Sequence, residues 1–219
     1  LEKIKAIIFD VDETLVDRRK AFICFCRYMI DTYAKEYPFQ GTEDELISYM
    51  VDIDENGYSG LKKFYTELLE RWQLPLSLES FILERNEVFG KMAIPYPELY
   101  EVLDTLKGRY RLGIITNGYS RVQRDKIETV KIADYFDTIL VSGELEFEKP
   151  DCRIFELACR RLGVSKEEAV YVGDYYPNDI AGAIGAQIKP IWISRNPNEH
   201  PEYTGIRITG LKEILDYFN

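Results

Sequence analysis

The 219-residue chain has one histidine, His200, and four cysteines, Cys24, Cys26, Cys152 and Cys159. No two cysteines form a Cys-x-x-Cys pair, and His200 stands alone in a Pro/Asn-rich loop, so the ligand spacing of a zinc site is missing. Cys152 and Cys159, seven apart on a predicted helix, read as core or boundary thiols, and the setting implied is reducing and cytoplasmic. No apolar run approaches the ~20 residues needed to span a bilayer, and no signal-peptide pattern opens the chain, so no membrane partner is expected. Positive charge is also in short supply. With 28 Lys and Arg against 38 Asp and Glu the formal charge is −10, which argues against a nucleic-acid polymer as partner. A small anionic substrate stays compatible, because one metal ion and a few local donors override a diffuse acidic field. Internal repeats and low-complexity segments are absent.

What is present is a globular composition, 46% hydrophobic and 30% charged, in a chain long enough for one domain or one domain with an insertion. The organising stretch is Ile7-Ile8-Phe9-Asp10-Val11-Asp12-Glu13-Thr14. Ala6 to Phe9 is a continuous apolar run, the signature of a strand buried on both faces. It ends in Asp10 and Asp12, two apart and so on one side of an extended segment. From Lys20 to about Gly90 only helical periodicity follows. Phe22, Phe25, Cys26, Met29, Ile30 and Tyr33 recur at threes and fours, Thr42 to Glu45 resembles a capping box, Gly60 to Trp72 carries a second apolar stripe, and Ser77 begins another helix. Pro95-Tyr96-Pro97 closes this module as a stiff linker.

Helix and strand then alternate. Strands are predicted at Tyr110–Thr116, Thr138–Ser142, Ala169–Val172 and Lys189–Ile193, with helices at Glu98–Lys107, Ser120–Lys131, Asp151–Leu162, Asn178–Ile184 and Leu211–Phe218. Such alternation means βαβ units and a parallel sheet. Polar residues gather just after the strands: Asp10 and Asp12, then Thr116-Asn117-Gly118, then Lys149-Pro150-Asp151, then Gly173-Asp174 with Asp179. Each alone is an ordinary turn or helix start; together they load one rim of the sheet, where open α/β folds bind ligands.

These residue types suit a phosphate ester. Asp10, Asp174 and Asp179 offer hard oxygen donors for Mg²⁺. Asp10, at an ordinary carboxylate acidity, is ionised at neutral pH and able to attack phosphorus. Asp12 would give a proton to the leaving oxygen, which requires its acidity to be weakened by burial and a neighbouring carboxylate. Thr116 and the backbone N–H groups around Asn117 and Gly118 would hold phosphoryl oxygens, while Lys149 balances the gathered negative charge.

In this order the four segments resemble the motifs of the haloacid dehalogenase superfamily, over nearly the whole chain. The resemblance implies an α/β, Rossmann-like three-layer core of residues 1–16 and 95–219, with a parallel sheet in strand order 5-4-1-2-3, and an inserted α-helical cap at 17–94. It implies Mg²⁺ and a phospho-aspartyl intermediate. By position, Asp10 is the nucleophile and Asp12 the general acid/base, whose backbone carbonyl is also a metal ligand. Thr116, Asn117 and Lys149 bind phosphate, Lys149 counting among the catalytic residues too. Asp174 is a metal ligand, and Asp179 supports the metal directly or through water and Lys149. Asp12 favours phosphoryl transfer over dehalogenation, since the dehalogenases lack that second aspartate. Asp-x-Asp-Glu-Thr with Ile-Ile-Thr-Asn-Gly-Tyr is similar to the branch of pyrimidine-type nucleoside 5′-monophosphate phosphatases, although the commonest phosphatase form has Gly in place of Glu13. The expectation is a Mg²⁺-dependent phosphatase of a small phosphorylated metabolite, as monomer or homodimer; the alternatives are a sugar phosphomutase of the same superfamily and a non-catalytic regulatory homologue. Arg18, Arg19 and Lys20 are candidates for a second anionic group or a solvated helix start. Tyr33, Tyr49, Tyr58, Tyr65 and Trp72 are candidates for stacking on a base or for core packing.

Overall fold

The computed structural model describes residues 3–196 and 198–218. Contacts divide the chain into two units, one made of residues up to Asp17 with those from Pro95 onward, the other of Arg18–Ile94. Among the described residues no helix is long and apolar enough to cross a membrane.

The first unit is built on six parallel strands: β1 (Ala6–Phe9), β2 (Arg111–Thr116), β3 (Thr138–Val141), β4 (Ala169–Gly173), β5 (Lys189–Ile193) and β6 (Ile206–Ile208). Their order is β3-β2-β1-β4-β5-β6. Read from the other edge, this is the expected 5-4-1-2-3 with one strand added outside β5. That sixth strand, Ile206–Ile208, was not expected: three residues are too few to show a period. The central strand is wholly apolar and wholly buried, as a strand covered on both faces must be. Helices α5 (Leu99–Leu106), α6 (Ser120–Thr129), α7 (Cys152–Leu162) and the short α8 (Ala181–Gly185) accompany the strands. The inner face of α7, with Ile154, Phe155, Ala158, Cys159 and Leu162, joins Ala6, Ile8, Ile115, Leu140 and Tyr171 in one core, so Cys159 is a core thiol. Two segments depart from the predicted helices. Tyr176–Ile180 forms a π-type turn ahead of α8, with Pro177 lacking the N–H a regular turn would use. Leu211–Tyr217 winds as 3-10 turns rather than as an α-helix.

Register sets up the rim. Phe9 lies opposite Ile114 on one side and Val172 on the other, so β1, β2 and β4 end nearly level. Asp10, Thr116 and Asp174 are therefore delivered to the same edge by three adjacent strands.

The second unit holds four helices, numbered here in order along that segment before α5 as α1 (Arg18–Tyr33), α2 (Glu43–Asp54), α3 (Leu61–Arg71) and α4 (Leu78–Val88). The capping box forms as expected, with Glu45 N–H donating to Thr42 Oγ1 and Thr42 N–H donating to Glu45 Oε2. Phenylalanines fill the interior: Phe22 meets Phe64 edge-on at 5.7 Å between centroids, and Phe25 meets Phe89 at 5.8 Å. Trp72 is fully buried and donates its indole N–H to the Tyr37 carbonyl at 2.7 Å. Tyr33 bonds Glu84, Tyr49 the Glu67 carbonyl and Tyr65 the Leu76 carbonyl, so these rings serve the unit's own packing. Arg18, a candidate for substrate contact or a solvated helix start, is instead buried. Its guanidinium forks onto Asp54 at 2.5 and 3.0 Å.

Candidate active site

The rim of β1, β2 and β4 carries a buried ionic cluster. Lys149 Nζ lies 2.6 Å from Asp10 Oδ1, 2.7 Å from Asp179 Oδ1 and 2.9 Å from the Tyr171 hydroxyl. An ammonium has three N–H bonds, and these three contacts use them. Tyr171, fully buried on β4, donates in turn to Asp179 Oδ1 at 2.9 Å. Asp179 is fixed from its other oxygen, which accepts from the Tyr175 N–H at 3.0 Å. This close approach depends on Gly173, because a Cβ there would sit 2.6 Å from Asp179 Cβ. Trp192 anchors the same loop by donating to the Asp174 carbonyl at 2.7 Å.

Asp10, Asp174 and Asp179 each present one carboxylate oxygen, all within 4.8 Å of one another. Three carboxylates against one ammonium leave an excess of negative charge in a dry place, and their acidities respond. Burial, with the neighbouring Asp179, pushes Asp10 up to about 7 despite the opposing pull of Lys149. Asp174 is raised well above the carboxylate range by burial and then by Asp179, Asp10 and Glu13. Burial would lower Lys149, but the two carboxylates beside it outweigh that and hold it above its ordinary value. For Asp10 desolvation by burial is a larger effect than the pull of Lys149. The donor set suits a hard divalent cation, being three carboxylates converging on one point with uncompensated charge.

Asp12 stands apart from this set. Its carboxylate is held by Lys126 Nζ at 2.7 and 2.6 Å and by the Gln123 amide at 3.1 Å. The charged group that Asp12 meets is thus Lys126, on α6. Lys126 and Gln123 had no mark in the sequence beyond lying on the helix predicted at Ser120–Lys131.

The phosphate-binding candidates Thr116, Asn117 and Lys149 lie at the end of β2 and in the segment bonded to it. Thr116 ends β2 and is 1% exposed. The Asn117 side chain is engaged with the backbone of Lys149, donating to its carbonyl at 2.9 Å and accepting from its N–H at 3.0 Å. The Gly118 N–H already donates to Ser142 Oγ at 3.0 Å. Gly118 has φ 135, and a Cβ there would lie 3.0 Å from the Gln123 amide nitrogen.

Glu13 occupies the left-handed region with φ 56, where a glycine would carry no penalty. Its conformation is held from outside. The Tyr96 hydroxyl donates to Glu13 Oε2 at 2.7 Å, and Arg195 reaches the Glu13 carbonyl at 3.2 Å while lying over the Tyr96 ring at 4.7 Å. Tyr176, in the bulky Tyr175-Tyr176-Pro177 loop, stacks on His200 at 3.8 Å and packs edge-on against Trp192.

Comparison with known proteins agrees with this frame. The family model of haloacid dehalogenase-like hydrolases matches residues 7–193. A glyceraldehyde 3-phosphate phosphatase of Methanothermobacter thermautotrophicus is 30% identical, covering 96% of each chain. The pyrimidine 5′-nucleotidase YjjG of Escherichia coli is also 30% identical, over 90% of this chain and 88% of its own. Among solved structures, the HAD-hydrolase YfnB of Bacillus subtilis, bound to magnesium, shares the fold with a TM-score of 0.78 at 21% identity, covering 99% of both chains. With its motifs on one sheet rim and the match running through nearly its whole length, the chain belongs to the haloacid dehalogenase-like hydrolase family.

Proposed function

We propose that this protein is a Mg²⁺-dependent phosphatase acting on a small phosphomonoester through an acyl phosphate on Asp10. The observation that carries this reading is the convergence of Asp10, Asp174 and Asp179 within 4.8 Å, with one ammonium for three carboxylates. Asp10, Asp174 and Asp179, with the Asp12 backbone carbonyl, would hold the ion, which when bound supplies the positive charge that keeps Asp10 ionised and quiets the repulsion of phosphoryl oxygens. Asp10 attacks phosphorus as the bond to the leaving oxygen breaks, and Asp12 gives that oxygen a proton. Asp12 then takes a proton from the water that attacks the acyl phosphate, releasing inorganic phosphate and restoring Asp10. Thr116 and the Asn117 backbone would cradle the phosphoryl oxygens. Lys149 keeps Asp10 and Asp179 apart in charge and aligned in space, and the Asn117 side chain sets the Lys149 backbone that makes this possible. Residues 17–94 form the cap in this reading.

The two relatives described above act, by name, on a triose phosphate and on nucleotides, at equal identity to this chain. Together they support the class of small phosphomonoesters, with nucleoside 5′-monophosphates among the first to try. The test is release of inorganic phosphate from an aryl phosphate, from nucleoside monophosphates and from sugar phosphates, with and without Mg²⁺. Metal-dependent release of free phosphate is the expected result. An isomerised sugar phosphate without free phosphate would replace the phosphatase reading by a mutase, and a folded, Mg²⁺-loaded protein inert on all three would contradict both.

A further inference from the structure

Helix α6 turns Val122, Gln123, Lys126 and Ile127 toward the protein interior. Two of these four are polar, and Lys126 is only 2% exposed. Burying an ammonium costs several kcal/mol unless it is paired and hydrogen-bonded. An apolar residue would complete that face at no such cost. The polar pair faces one group, Asp12. Lys126 Nζ spans both Asp12 oxygens, at 2.7 and 2.6 Å, and Gln123 Nε2 adds a third contact to Oδ2 at 3.1 Å. The same Gln123 nitrogen donates to the Asn117 carbonyl at 3.1 Å, tying the loop after β1 to the loop after β2. Gln123 Oε1 meanwhile is buried with no hydrogen-bond partner, so its amide is oriented for its donor end.

We propose that Lys126, assisted by Gln123, is a positioning residue for proton transfer: it fixes the plane and reach of the Asp12 carboxylate relative to the leaving-group oxygen. This rests on the role given to Asp12 above. A carboxyl held from both oxygens keeps one orientation, whereas Asp12, with a side chain 23% exposed, would otherwise sample several and be hydrated. The lysine bonds both carboxylate oxygens of Asp12, which places it to act on the proton.

Leaving-group dependence separates this from a structural staple. An aryl phosphate departs as a stabilised phenolate and hardly needs a proton, whereas an alkyl phosphate departs as an alkoxide and does. Positioned general acids contribute ~10²–10⁴-fold. Lys126→Met, near the lysine stem in size, is expected to lower kcat/KM, which reports formation of the acyl phosphate alone, on an alkyl phosphate by at least about 10-fold. On p-nitrophenyl phosphate the loss should be much smaller, with KM moving little on either. Lys126→Arg is expected to recover part of the alkyl activity, and Gln123→Leu to show the same bias more weakly. Thermal melts of each variant report folding independently. An equal loss of kcat/KM on both substrates, or an unchanged alkyl kcat/KM, overturns the proposal. Asp12→Asn run alongside keeps the two readings distinguishable. If it shows the alkyl bias and Lys126→Met does not, only the lysine's role falls. If Asp12→Asn lacks the bias, the proton-transfer role of Asp12 falls and takes this inference with it.

Discussion

Each unit of this protein buries a cation against carboxylate, and the two arrangements differ in one respect. In the helical unit Arg18 meets Asp54 fork to fork, a guanidinium matched to a carboxylate, with the Phe22 and Phe89 rings 5.4 and 5.6 Å from the guanidinium carbon. In the sheet unit Lys149 meets Asp10 and Asp179 while Asp174 stands close by, one positive charge among three negative. A closed pair asks for nothing further. An open one stores unfavourable charge that a divalent cation would relieve, and burial together with the neighbouring carboxylates weakens the acidity of Asp10 and Asp174. Burial and the presence of an ion pair are common to both places, so neither marks the site. The charge balance does.

Substitutions of the two aspartates should therefore have opposite signatures. Asp10→Asn should lower turnover by more than about 10³-fold, the scale of losing a covalent nucleophile. In ion-free buffer it should cost no stability near neutral pH, since it removes one of the mutually repelling carboxylates. Asp54→Asn takes the carboxylate fork from the buried Arg18 and should destabilise by about 3–5 kcal/mol. Denaturant melts of both variants, with phosphate release from the same preparations, check this contrast. An Asp10→Asn protein destabilised as much as Asp54→Asn would erase the distinction.

A smaller effect is the pH dependence of stability. Asp10 has its folded value raised to about 7 from 3.8. The fold thus binds this proton more tightly than the unfolded chain, and the contribution is complete below the ordinary value and is lost as pH rises through about 7. Without divalent ions, the wild type should lose stability relative to Asp10→Asn between about pH 4 and about pH 7. Saturating Mg²⁺ should remove that decline, and its own stabilisation should grow with pH because its ligands must be deprotonated. Melting temperature against pH, with and without Mg²⁺, reads both slopes.

Much of this was legible in the chain. Buried parallel strands announce themselves as continuous apolar runs, and the residues just after them are few enough to read in order, which is why β1 to β5 and the strand-end segments stand out. β6 is only three residues long and shows no period. Lys126 and Gln123 are three apart on a helix with charged neighbours, and nothing in that spacing says they face inward. Their meaning depends on Asp12, more than a hundred positions earlier. Arg18 reads as a helix start until Asp54, 36 residues on, is seen to meet it. The acidity of Asp10 likewise follows from burial, which only the assembled rim imposes. Local pattern shows where polar groups leave a strand; which of them are paired and which left in excess is a tertiary property.

The account turns on Asp10 as the phosphoryl acceptor, and beryllium fluoride with Mg²⁺ tests that most directly, because the fluoride complex mimics a phosphoryl group on an aspartate without needing a substrate. Fluorine NMR of the wild type should show bound resonances distinct from free beryllium fluoride, and Asp10→Asn, folded by its thermal melt, should show none. Bound resonances that persist in Asp10→Asn, or a folded Mg²⁺-loaded wild type that shows none, would contradict it.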